Sequence, residues 1–132
     1  MTDRELALRR RIVTAFAATG RPPAIAGGPV LRSLAAQHVV VLEEDGGSPR
    51  IRMAHPFAGH RDGARVEAGG RTWWGNCSWD AFGIVAALGL REARVTDASG
   101  LEVAVEAGAP AGDAVFHVAV PARDWGADIG FT

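Results

Sequence analysis

The stretch from Arg71 to Gly89, RTWWGNCSWDAFGIVAALG, constrains the fold more than any other. A strand-forming run with two tryptophans meets Gly75-Asn76, and an apolar run of helix length follows, closed by Gly89. A helix this apolar needs cover, so the strands on either side must pack around it. Asn76 or Ser78 supplies its N-cap. Upstream, RVEAGGRTWW reads as a hairpin turning at Gly69-Gly70. Downstream, ARVT and LEVAVE are strands that turn at DASG, and AVFHVAV (114–120) is another, ended by Pro121. The tail ARDWGADIGFT is short helix or irregular, with Trp125 as a lid over the core edge.

The preceding residues have a different grammar. Thr2 and Glu5 form a capping box for a helix carrying Leu6, Leu8, Ile12, Val13, Phe16 and Ala17, stopped by Gly20, Pro22 and Pro23. A second helix starts at Pro29 and carries Val30, Leu31 and Leu34. A hairpin follows, with strands over 38–43 and 50–54 and a turn at Asp45-Gly46-Gly47. The expected class is therefore α+β. Residues 1–54 form a small helical, winged-helix-like lobe, and residues 55–132 a mostly antiparallel β lobe packed around one central helix. The second helix, PVLRSLAAQ, offers one arginine to a nucleic acid, so the first lobe reads as structural.

Charge and cysteine usage narrow the function. The 132 residues are 48% hydrophobic and carry a formal net charge of −1, which gives no pull towards nucleic acid or anionic membrane. No apolar run approaches the ~20 residues of a membrane span, and MTDRELALRRR lacks the order of a signal peptide. A single cysteine makes neither an internal disulfide nor a multi-thiolate zinc site. These features predict a cytoplasmic protein with a reduced thiol, acting on a small molecule without a resident cofactor.

That thiol is Cys77, at the mouth of the predicted helix, with Asp80 one turn on. Helix N-termini favour negative charge, so a thiol there ionises more readily than a free one of pKa about 8.5. A carboxylate beside it opposes that ionisation, and one shared proton is the expected resting state. The pair suits a soft nucleophile or metal ligand working with a proton donor. Trp73, Trp74 and Trp79 either wall a water-poor pocket or pack the core. His55 packs its loop or lines the pocket. His117 reads as structural, and His60, Arg61 and Asp62 as solvent-facing turn residues. A zinc site of Cys77, His55 and Asp80 is a further reading, though its spacing is not diagnostic.

The order of these motifs resembles the alkylmercury lyase (organomercurial lyase) family. TWWGNCSWDAFGIVAALG is similar to its aromatic pair, Cys-x-x-Asp and apolar helix ending in Gly. RIRMAHPFAG is similar to the strand and His-Pro-Phe segment of small relatives, and VFHVAVPARDWGADIGFT to the segment leading to the family's second cysteine. The resemblance implies protonolysis of a carbon–mercury bond. Cys77 would bind the soft metal and Asp80 would relay a proton to the leaving carbon, with mercury as substrate and product metal. His55 and Phe57 would join the tryptophans as pocket walls. The family's second cysteine has no counterpart here, since its place falls at or beyond Thr132. The alternative reading is a retooled, non-catalytic member that holds a soft metal or small apolar ligand through Cys77.

Overall fold

The computed structural model describes residues 1–44, 46–118, 121 and 123–124. Helix α1 spans Asp3–Thr19 and opens with the expected capping box. Glu5 does more than close that box. Its carboxylate also accepts from Ser33 Oγ at 2.6 Å and Gln37 Nε2 at 3.0 Å, which ties α1 to α2, Pro29–Ala36. Ile12 and Phe16 are buried, whereas Leu6 is 44% exposed and lies off the core stripe. Gly20 stops α1 in a left-handed conformation, φ 69°. A Cβ there would collide with the Thr72 carbonyl, so the helix end closes directly onto the strand that carries Thr72.

Two antiparallel sheets follow. The first has the order β1-β2-β3, from Val41–Glu43, Arg50–Ala54 and Phe57–Ala58. The strand expected from residue 38 begins only at Val41, because His38 takes a positive φ of 56° at the end of α2. The hairpin turn includes Asp45, which lies outside the described residues. The second sheet has the order β5-β4-β6-β7-β8, from Arg71–Gly75, Ala64–Ala68, Ala93–Thr96, Glu102–Glu106 and Ala109–Pro110. Gly69 and Gly70 both have positive φ, 57° and 74°, which is the backbone a two-residue hairpin requires. Strands β5 and β6 both run antiparallel to β4, so they are parallel to each other. Helix α3, Ser78–Leu88, is the crossover between them.

Helix α3 buries Ala81, Ile84 and Val85 against this sheet. One apolar cluster runs from Ile12, Phe16 and Leu34 through Phe57 and Trp73 to Ile84, Val95 and Val105. Two contacts join the first helix to the later strands. Phe16 stacks on Phe57 with ring centroids 5.5 Å apart, and the Trp73 indole N–H donates to the Ala17 carbonyl at 3.0 Å. Burying a side chain the size of Phe16 stabilises by about 1.5–3 kcal/mol. The chain is thus α+β, with three helices among the described residues.

The strand expected over 114–120 is not present in its described part. Ala114–Val118 joins no strand among the described residues, and Val115 and Val118 are 88% and 58% exposed. Alternating apolar residues make a strand only where a sheet edge and a surface to cover are both within reach. Phe116 instead sets its ring edge-on to Trp79 and Phe82 of α3, at 5.6 and 5.5 Å. His117, read from sequence as a mid-strand residue, is exposed. Most of the tail, including Trp125, lies outside the described residues.

Candidate functional site

The head of α3 is built around Cys77, which is itself the N-cap, in place of the expected Asn76 or Ser78. Its backbone is extended, φ −142° and ψ 179°, and its carbonyl accepts the Ala81 N–H at 3.0 Å. Gly75 makes the close approach possible. A Cβ there would stand 2.8 Å from the Ala81 nitrogen and 2.9 Å from Asp80 Cβ. Strand β5 therefore runs straight into the first turn of α3.

Cysteine is a poor choice for this position. Ser, Thr, Asn or Asp would accept a hydrogen bond from the N2 or N3 amide, whereas the thiol makes no cap hydrogen bond. As a thiolate it would be favoured by the Asp80 and Trp79 amides, but burial outweighs them and the Asp80 charge adds to burial. The Cys77 pKa is raised above its ordinary value. Of the opposing effects expected at this helix start, desolvation and the Asp80 charge prevail, and Cys77 is a half-buried thiol of raised pKa.

Asp80 occupies the first turn with its side chain 14% exposed, and its Oδ1 lies 3.6 Å from His55 Nδ1. Hydrogen bonding to Asp80 raises the His55 pKa, burial opposes it, and the carboxylate's charge adds to the rise. At 3.6 Å the contact exceeds ordinary hydrogen-bond length, so charge attraction is the firmer of the two favourable causes. His55 also lines a cleft of about 430 Å³ with Val13, His38 and Val39. Asp80 is therefore paired with His55, and its charge reaches the Cys77 thiol.

The other predicted site residues disperse. Trp73 and Phe57 are core residues, 4% and 2% exposed. Trp74 lines a separate cleft, and Trp79 points outward, 64% exposed, against Phe116. Trp73 and Trp74 thus contribute to one cleft away from Cys77, and Trp79 stands apart from them in the first turn of α3. Among the described residues no three His, Cys, Asp or Glu side chains are placed to hold a metal ion, so Cys77, His55 and Asp80 do not form a zinc cage.

His60 was expected to face solvent. Its side chain is only 14% exposed, and Nε2 lies 3.2 Å from Asn76 Oδ1. Its Nδ1 accepts the Asp62 N–H, which leaves the proton on Nε2 to donate to Asn76. The loop before β4 is thereby latched to the residue preceding Cys77. No local pattern marks this contact, since 16 residues separate the partners.

No helix among the described residues is long and apolar enough to cross a membrane. Compared with known proteins, the chain matches no family model, no curated protein and no solved structure.

Proposed function

We propose that Cys77 and Asp80 carry out protonolytic chemistry of the alkylmercury lyase kind on a small organometallic substrate. One observation carries this reading: a neutral, half-buried thiol stands at a helix start within electrostatic reach of a carboxylate. A soft thiol sulfur recognises a soft metal. When an organomercurial thiolate enters, Cys77 sulfur bonds to mercury and its proton passes to Asp80. Asp80 then delivers that proton to the carbon, the carbon–mercury bond breaks, and the hydrocarbon leaves. Mercury remains bound between Cys77 and the small thiol that arrived with it, so a second protein cysteine is not consumed. Paired with Asp80, the His55 imidazolium steadies the carboxylate between its two proton transfers.

In this reading α1, α2 and the β1–β2 hairpin form a winged-helix-like scaffold with no nucleic-acid role, and the protein works in the cytoplasm. The test is incubation with phenylmercury and excess small thiol, with benzene measured by gas chromatography. Benzene above the thiol-only control supports the reading, and none above it ends the reading. The absence of a three-ligand cluster among the described residues favours a second reading, in which Cys77 binds a soft metal without turnover. Native mass spectrometry with Hg(II) on wild type and Cys77→Ala separates the two: binding lost in the variant, with no benzene from wild type, selects the second.

A further inference from the structure

A cleft of about 770 Å³ opens where the end of α1 meets β4 and β5, and neither Cys77, Asp80 nor His55 lines it. Four arginines do: Arg21 after α1, Arg61 before β4, Arg65 in β4 and Arg71 at the start of β5. Glu67 is the one carboxylate among its lining residues, and it is paired with Arg65 at 3.3 Å. The geometry of that pair still leaves the buried Arg65 Nε without a hydrogen bond. Arg21, Arg61 and Arg71 have no carboxylate partner among the described residues. In a chain of net charge −1 this is a local concentration of positive charge, not a reflection of a basic protein.

The carbonyl end of α1 lies at the same cleft, and three of its acceptors are already occupied. The Thr19 hydroxyl donates to Ala15, the Gly20 N–H to Phe16 and the Trp73 indole to Ala17. The helix end therefore offers the arginines little compensation. Trp74 contributes a half-buried ring to the lining. The volume falls within the ~300–1,000 Å³ of small-molecule sites.

We propose that this cleft binds a phosphorylated small molecule of nucleotide size. Arg21, Arg61 and Arg71 hold its phosphates through their planar forks, and Trp74 takes its flat ring. A long polyanion is disfavoured, because the rest of the chain is net acidic.

The experiment is calorimetric titration of the whole chain with ADP and with pyrophosphate, at low and high salt. The variants are Arg61→Glu with Arg71→Glu, Trp74→Leu, and Cys77→Ala, each checked for a cooperative thermal melt. ADP is expected to bind more tightly than pyrophosphate, to weaken with salt, and to raise the melting temperature of the wild type. The double charge reversal should weaken ADP at least about tenfold. Trp74→Leu should erase the advantage of ADP over pyrophosphate. Cys77→Ala should bind ADP as wild type does, so a failed thiol reading leaves this one standing. Three results overturn the proposal: no heat from either anion with folded protein, unchanged ADP affinity in the double reversal, or tighter binding of a single-stranded oligonucleotide than of ADP. Equal binding of ADP and pyrophosphate by the wild type removes the ring from the ligand class.

Discussion

Helices α1 and α3 begin with the same sequence grammar, a small capping residue followed three positions later by an acid, and they use it in opposite ways. In α1, Thr2 caps the Glu5 amide and Glu5 caps in return, while the same carboxylate bonds Ser33 and Gln37. Every polar group there serves stability. In α3, Cys77 stands at the cap without a cap hydrogen bond, and Asp80 turns to His55 instead of back to the cap. The helix forgoes a contribution of about 0.5–2 kcal/mol that a hydroxyl or carboxamide would supply. The α1 solution is the one that stability alone would select, and the proposed thiol chemistry is one reason for a sulfur to stand at α3 instead.

The largest expected effect comes from removing the acid at α3. Asp80→Asn should cut benzene release by at least ~10²-fold, the scale of a lost general acid, while Hg(II) still binds at Cys77 by native mass spectrometry. A second readout does not depend on turnover. The Asp80 charge helps hold the Cys77 pKa up, so the pH profile of iodoacetamide labelling should shift to lower pH in Asp80→Asn. An unmoved profile would mean that the two groups do not share an environment.

The matching change at α1 tests the other half of the comparison. Hydrogen bonds from Ser33 and the Thr2 amide, with smaller help from Thr2 Oγ1 and Gln37, lower the Glu5 pKa from 4.5 to about 2. A depressed carboxylate pKa contributes stability that is full above the unfolded value and is lost as pH falls through the folded one. Wild type should therefore exceed Glu5→Gln in urea stability at neutrality, and the gap should close between pH 4.5 and about 2. A gap that persists in acid would assign Glu5 to packing.

Much of this contrast was legible because it is local. The Thr2–Glu5 box, Pro29 at the start of α2, the Gly69-Gly70 turn and Gly89 at the end of α3 each act over fewer than five residues, and the backbone follows them. The DASG turn also holds, with Asp97 Oδ1 accepting from the Ser99 and Leu101 amides. What did not show is what distance creates. Strands β3 and β8 are two residues each and exist only because a partner strand lies alongside. The nearness of Cys77 and Asp80 could be read from helical spacing and His55 could be named as a candidate neighbour, but its pairing with Asp80 across 25 residues and the reach of His60 to Asn76 are set by the fold. The burial that outweighs the helix effect on Cys77 is tertiary, so the sequence showed the opposing pulls of helix end and carboxylate but not the desolvation that decides between them. The arginine cleft has no linear signature, since its residues are scattered from Arg21 to Arg71.

A smaller effect tests whether α3 truly sacrifices stability. Cys77→Ser gives the cap a hydroxyl that can accept the Asp80 amide, and should stabilise the fold by about 0.5–1 kcal/mol in urea melts. Thr2→Cys, the reverse exchange at α1, should cost a similar amount. Should Cys77→Ser destabilise instead, the sulfur serves as a buried apolar atom and the contrast between the two helices collapses.

The smallest effect belongs to His55. Its folded pKa is raised, so its contribution is full below the unfolded value of 6.5 and is lost as pH climbs through the higher folded value. The side chain is 45% exposed, which screens the pair, and ion pairs of this kind are worth about 0–1 kcal/mol. His55→Gln should therefore lower stability slightly on the acid side of neutrality and not at all in alkali. In the proposed reaction the same variant should weaken proton relay more than folding, because there the imidazolium would steady Asp80 between its two proton transfers. NMR titration of the His55 ring in wild type and Asp80→Asn decides the matter: a ring pKa that does not fall when the carboxylate is removed would detach His55 from the α3 site.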